Sequence, residues 1–168
     1  FYGLDEVADY WEQVVNINVW QQQRISSLII KNLFDTLSNK RLAIYGFSFK
    51  ANTNDTRESP SINISRDLLQ EGAKLNVYDP RVNKTQILKE LDEIEEEGNV
   101  LVYEDPYKAA KGADAVLILT EWDEFKYLKW EDIYAVMRKP SWIFDSRISL
   151  DQNHLKKVGF KVWTLGTP

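Results

Sequence analysis

The chain has 168 residues, 43% of them hydrophobic and 28% charged, a length and balance that suit one globular domain with an appendage and exclude a larger array of domains. Its net charge of -5, with lysines and arginines scattered instead of striped, argues against nucleic acid, and no apolar run approaches the roughly 20 residues that cross a bilayer. Cysteine is absent, which removes disulfides, thiolate metal sites and a cysteine nucleophile together.

Residues 1–6 have no basic leader or cleavage site, so secretion is unsupported and the cytoplasm is the expected compartment. From 4 to 37 the apolar residues Leu4, Val7, Ala8, Trp11, Val14 and Val15, then Ile25, Leu28, Ile29 and Leu33, recur at three and four. This spacing predicts a long amphipathic helix or two consecutive ones. Polar Asn18 and Gln22 interrupt the stripe midway. A second track through Ile17, Trp20, Ile30, Phe34 and Leu37 predicts more than one buried face, while the sustained heptads of a coiled coil are lacking. Left exposed, Trp11 and Trp20 would make a sticky patch.

After the linker 38–40 comes an apolar run, 41–45, that reads as a strand, followed by Gly46-Phe47-Ser48-Phe49-Lys50 and a polar stretch to Ser59-Pro60. Helical spacing then resumes at Ile64, Leu68 and Leu69, giving a strand–loop–helix unit of the kind that binds ligands in open parallel sheets. Lys50 and Arg57 are two cations flanking turn-forming side chains, a combination that suits an anionic, hydroxyl-rich ligand. Ser59 is placed to cap the helix, with Pro60 at its first position. The plainer alternative is a solvated loop in which Asp55 pairs with Arg57. With one glycine, the turn lacks the G-x-G-x-x-G that lets backbone approach a dinucleotide pyrophosphate.

Strands and helices alternate from here: helix 61–70, strand 74–78, helix 84–91, strand 100–103, helix 106–111 and strand 115–119. Helix 130–138, strand 142–144, helix 150–157 and strand 161–164 complete the pattern. Gly72, Gly112 and Gly159 stand where helices should stop. The fold class expected is α/β, a Rossmann-like parallel sheet with helices on both faces, preceded by a long helix. The acidic run at 92–97 reads as a solvated helix end or loop. Asp79, before Pro80, stands where a dinucleotide fold keeps its ribose carboxylate, but without a glycine loop the better reading is a turn that ends the strand. Trp122 reads as core or interface, with a lid over a ligand as the alternative. Arg147 should emerge at the same sheet edge as Lys50 and Arg57, either for a phosphate or sugar or for a salt bridge to Asp145 or Asp151. His154 is expected on the surface, and no metal site is expected.

Taken together, Gly46-Phe47-Ser48-Phe49-Lys50, Asp55-Thr56-Arg57-Glu58-Ser59, Val77-Tyr78-Asp79-Pro80, Thr120-Glu121-Trp122 and Phe144-Asp145-Ser146-Arg147 resemble the C-terminal UDP-binding domain of the UDP-glucose 6-dehydrogenases. The leading segment, with Tyr10-Trp11, Gln13-Val14, Asn18, Gln21 and Arg24, resembles that family's central connecting helix. The resemblance implies two parts: residues 1–38 a helical connector and dimerisation segment, and 39–168 a UDP-sugar-binding Rossmann-like domain. It implies NAD-dependent oxidation of UDP-glucose to UDP-glucuronate, with Phe49, Lys50 and Arg147 binding the substrate and Arg57 reaching the NAD. The chain itself carries no catalytic residue, because the cysteine and the main NAD-binding domain lie outside it; a start at Phe1 fits a piece of a longer enzyme. The partners implied are UDP-glucose, NAD and another copy of the chain, in a homodimer or higher oligomer through the N-terminal helix, with neither nucleic acid nor membrane.

Ala51, Asn52 and Asn54 stand where the family usually has Lys, Asp and Gly, Ser146 replaces a glycine, and Ile148 stands where a second arginine is common. Related dehydrogenases of UDP-N-acetylmannosamine share the architecture, which leaves the sugar open. A free-standing nucleotide-binding or dimerisation module is the rival from another class.

Overall fold

The computed structural model describes residues 3–93 and 97–166. Ile94, Glu95 and Glu96 of the acidic run, and the starting residue Phe1, lie outside the described residues. Six parallel strands, β1 (Arg41–Tyr45), β2 (Lys74–Tyr78), β3 (Val100–Tyr103), β4 (Ala115–Ile118), β5 (Trp142–Asp145) and β6 (Lys161–Thr164), form one sheet in the order β3-β2-β1-β4-β5-β6. The expected Rossmann-like α/β fold is therefore present. The chain winds outward one way from β1 and the other way from β4, so the order reverses between these two central strands, and the crevice above that point is where such sheets bind ligands.

Period-two alternation within β1 builds two cores. Leu42 and Ile44 face one layer, with α1 (Asp5–Asn32), α2 (Pro60–Gln70) and α3 (Lys84–Leu91); Ala43 and Tyr45 face the other, with α4 (Pro106–Ala110), α5 (Trp130–Val136) and α6 (Gln152–Val158). All four of these side chains are fully buried, as a doubly covered parallel sheet requires.

The N-terminal periodicity folds as one helix, and it stops short of residue 37. Phe34 and Asp35 take φ values of +69° and +57°, a left-handed turn that no helix continues through. The expectation of more than one buried face is not met. Ile25, Ile29, Leu33 and Leu37 join the core beside α2, but every residue from 4 to 20 is exposed, including Trp11 at 62% and Trp20 at 58%. The other elements lie within two residues of their expected bounds. No described helix is long and apolar enough to cross a membrane.

Candidate functional site

The loop from Gly46 to Ser59 leaves β1 at the switch point, and Gly46 has a reason to be glycine. Its φ is +89°, and a Cβ there would lie 2.4 Å from Thr120 Cβ at the end of β4. The chain then turns over a buried carboxylate. Asp79, directly after β2, accepts hydrogen bonds at Oδ2 from Phe47 N (2.7 Å), Ser48 N (3.0 Å) and Trp122 Nε1 (3.2 Å), and at Oδ1 from Arg81 N (2.8 Å) and Val82 N (2.9 Å). Thr120 Oγ1 donates to Ser48 O at 2.7 Å and Ser59 Oγ to Phe47 O at 2.8 Å, so the peptides before Phe49 are held from several sides.

The far end of the loop has its own anchor. Buried Thr56 donates to Glu90 Oε1 at 2.9 Å and accepts from Gln86 Nε2 at 2.8 Å, tying it to α3. Ser59 caps α2 with Pro60 in the first turn, as expected.

Of the two loop cations, Arg57 is engaged with Asp55, at 2.6 Å, the arrangement of the plainer sequence reading. Hydrogen bonds from Arg57 hold the Asp55 carboxyl down at about 2, with Lys50 contributing a smaller attraction. Both partners are substantially exposed, so the pair orders the loop more than it stabilises the fold.

The second arm of the site follows β5. Asp145, fully buried, accepts from Arg147 N at Oδ1 (3.0 Å) and from Ser149 N and Leu150 N at Oδ2 (2.8 and 2.9 Å). The Arg147 guanidinium crosses to β4, where Nε donates to Leu119 O at 2.7 Å and lies 3.4 Å from Glu121 Oε2. The ion-pair partner is thus Glu121 and not the Asp145 or Asp151 of the salt-bridge alternative; Asp145 binds the Arg147 backbone instead. Side chains held in sparsely populated backbone regions cluster here too: Asn52 and Glu58 on one arm and the β-branched Ile148 on the other have φ values of +66°, +58° and +55°.

Phe49 and Arg147 line one cleft of about 510 Å³, together with Glu58, Ser146 and the α1 residues Asn18 and Gln22. Lys50 and Arg57 are not among its lining residues; both are exposed and adjoin, in sequence, the lining residues Phe49 and Glu58. A second, more open cleft of about 870 Å³ lies beside Asn52, Arg81 and Trp122, with Arg81 its lone cationic lining residue. Sequence reasoning passed over the contribution of α1 to the first cleft, although the signal was there: Asn18 and Gln22 are the polar residues that break the apolar stripe. Trp122 is buried, as its core reading has it, and its indole also serves the loop.

Asp79 and Phe47 close the place where a nicotinamide dinucleotide would rest on the β1 turn. Phe47 is fully buried under the loop and both Asp79 oxygens are occupied, so no glycine-lined cradle exists there. Among the described residues no cluster of three or more acidic, His or Cys side chains is arranged for a metal. His154 is half-exposed, 3.4 Å from Glu131.

Residues 43–152 match the model of the UDP-glucose/GDP-mannose dehydrogenase family, UDP binding domain. The chain is 48% identical over 169 residues to the UDP-glucose 6-dehydrogenase of Caenorhabditis elegans and 48% identical over 172 residues to that of Gallus gallus, in each case across 98% of this chain and 35% of the relative. It therefore spans about a third of the length of these relatives. Among solved structures, the UDP-D-ManNAc dehydrogenase of Pyrococcus horikoshii superposes with a TM-score of 0.72 at 27% identity, over 90% of this chain and 32% of that one. A UDP-glucose dehydrogenase from Pyrobaculum islandicum shares the fold with a TM-score of 0.62 at 24% identity, over 80% of this chain and 28% of that one. By the family match over residues 43–152, carried on a switch-point sheet whose β1 and β5 loops meet at one cleft, the chain belongs to the UDP-glucose/GDP-mannose dehydrogenase family.

Proposed function

We propose that the chain is the nucleotide-sugar-binding C-terminal portion of an NAD-dependent UDP-glucose 6-dehydrogenase. The observation that carries this reading is the convergence of Phe49 and Arg147, from distant points of the chain, on one cleft beside the exposed Lys50. The 48% identity to enzymes of that name supports UDP-glucose as the sugar. In this reading Phe49 packs against the substrate while Lys50 and Arg147 supply N–H donors to its anionic oxygens, the geometry for which a guanidinium fork is suited. Arg57, at the outer end of the loop, reaches toward NAD held mainly by a domain outside this chain; to do so it gives up Asp55.

NAD supplies the hydride acceptor when bound, and carrying the primary alcohol of the sugar to a carboxylate requires two such transfers. The residues of this chain bind and orient; none of them abstracts the proton or traps the aldehyde. We assign residues 1–38 to a connector that assembles copies of the enzyme, and 39–168 to the UDP-sugar-binding domain, although the hydrophobic core of the latter reaches back to Ile25. The uncovered apolar residues of α1 support assembly as a homodimer or larger homo-oligomer. We place the work of the enzyme in the cytoplasm, in keeping with the dehydrogenases the chain resembles.

The test is NADH formation by the full-length protein offered UDP-glucose or UDP-N-acetylmannosamine. Reduction of two NAD per UDP-glucose, with little turnover of the other sugar, is expected. Turnover of UDP-N-acetylmannosamine alone would move the chain to the neighbouring specificity, toward which the Pyrococcus horikoshii likeness points. Turnover of neither sugar would overturn the reading.

A further inference from the structure

Asp79 does more than close its strand. It is 7% exposed, and all five hydrogen bonds it makes with the described residues come from N–H groups: two amides of the β1 loop, two of its own turn and the Trp122 indole. Both oxygens therefore act purely as acceptors. Two of these donors, Phe47 N and Ser48 N, belong to the residues immediately before Phe49 and Lys50, and both reach the same oxygen, Oδ2. One atom thus fixes where the loop leaves β1 and ties it to the end of β4 through Trp122. The loop's outer end, with Arg57, is held separately by Thr56 on Glu90 and Gln86.

We propose that Asp79 is a positioning residue for nucleotide-sugar binding: it sets the height at which Phe49 and Lys50 stand over the cleft, and acts through them without touching the ligand. This rests on the assignment of the cleft to a UDP-sugar. It also separates the two ends of one loop, so that disturbing Asp79 weakens the UDP-sugar and spares NAD. Asparagine has nearly the same shape but can accept on one side only; its NH2 would face the N–H groups of either the loop or the turn, and the loop would shift.

The experiment is carried out on the full-length enzyme, with UDP as the probe and calorimetry for Kd, alongside KM for UDP-glucose and for NAD. Asp79→Asn is expected to raise Kd for UDP and KM for UDP-glucose by about tenfold, the usual scale for a lost charge-assisted hydrogen bond, while KM for NAD stays within about twofold. Combined with Phe49→Ala and Lys50→Ala, the Asp79→Asn effect on UDP binding should shrink to about twofold or less, because a residue acting through these two has little left to position once both are truncated. A general loss of folding would move both KM values together and would not vanish in the background that lacks both side chains. Should Asp79→Asn fail to fold, Trp122→Phe decides, since it keeps the carboxylate and removes one donor: UDP binding weakened by about threefold is expected on the scale of one hydrogen bond, and unchanged binding overturns the proposal. If the Phe49→Ala, Lys50→Ala pair weakens UDP binding while Asp79→Asn leaves it unchanged or adds its full effect on top, the positioning role is refuted and the function stands. If neither the parent enzyme nor any variant binds UDP, both fall together.

Discussion

The two arms of the cleft rest on the same device, a buried aspartate at the end of a strand, but they use it differently. Asp145 collects Arg147 N, Ser149 N and Leu150 N, donors two to five residues further along its own chain. Asp79 collects Arg81 N and Val82 N locally, and also Phe47 N, Ser48 N and Trp122 Nε1, which lie 31 to 43 residues away. The first is a turn that forms as soon as its strand ends; the second forms only when β1, β2 and β4 are already side by side. The backbone turn of the β5 arm is therefore locally encoded, although the Arg147 side chain reaches across to Leu119 O, whereas the β1 arm is a product of the assembled sheet.

That contrast is open to attack, beginning where the largest effect is expected. Gly46→Ala forces a side chain against Thr120 and a positive φ on an L-residue, and should cost about 4 kcal/mol of stability, strain and overpacking combined. Thermal or urea unfolding measures it, and a loss below about 1 kcal/mol would mean that β1 and β4 ends are not the tight junction described. Asp145→Asn should cost about 2 kcal/mol of stability through its three buried amide donors, and should weaken substrate binding only through Arg147. Equal disturbance of Phe49 and Arg147 signals in an NMR spectrum of that variant would erase the distinction between the arms.

Lys50→Ala should leave stability untouched, since the side chain is exposed, and cost on the order of 1 to 3 kcal/mol of UDP-glucose binding; unchanged KM and kcat would remove Lys50 from the site. The smallest effect belongs to Asp55. Its carboxyl is lowered from 3.8 to about 2 by Arg57, so the pair contributes fully above about pH 3.8 and is lost as pH falls through about 2. Because both groups are solvated, Asp55→Ala should barely move the unfolding midpoint at neutral pH. A carboxyl titration centred near 3.8 would dissolve the pair.

The same division explains what the sequence makes legible. β1, β2, β3 and β6 are short apolar runs bounded by polar residues, and their ends coincide with the hydrogen-bonded ladder. The Ser59 cap and the Asp55–Arg57 pair are local and equally readable. The end of α1 is not, because the left-handed turn is made by Phe34 and Asp35, residue types that announce no stop. Arg147 finds Leu119 O and Glu121 across β4, and Asp79 gathers the β1 loop; both depend on strand order, which periodicity does not encode. The first turns of α1 mislead for another reason. Apolar spacing reports that a face seeks cover without saying whether the cover belongs to the same chain.

One helix serves two masters in consequence. Val15 and Val19 belong both to the uncovered apolar ridge and to the wall of the cleft that holds Phe49 and Arg147. A second copy settling on the ridge would touch residues that also line the cleft, and whatever change this made to ligand affinity would be matched by an equal effect of the ligand on assembly. Where such a coupling holds, a dissociation constant measured for either event has meaning only at a stated value of the other.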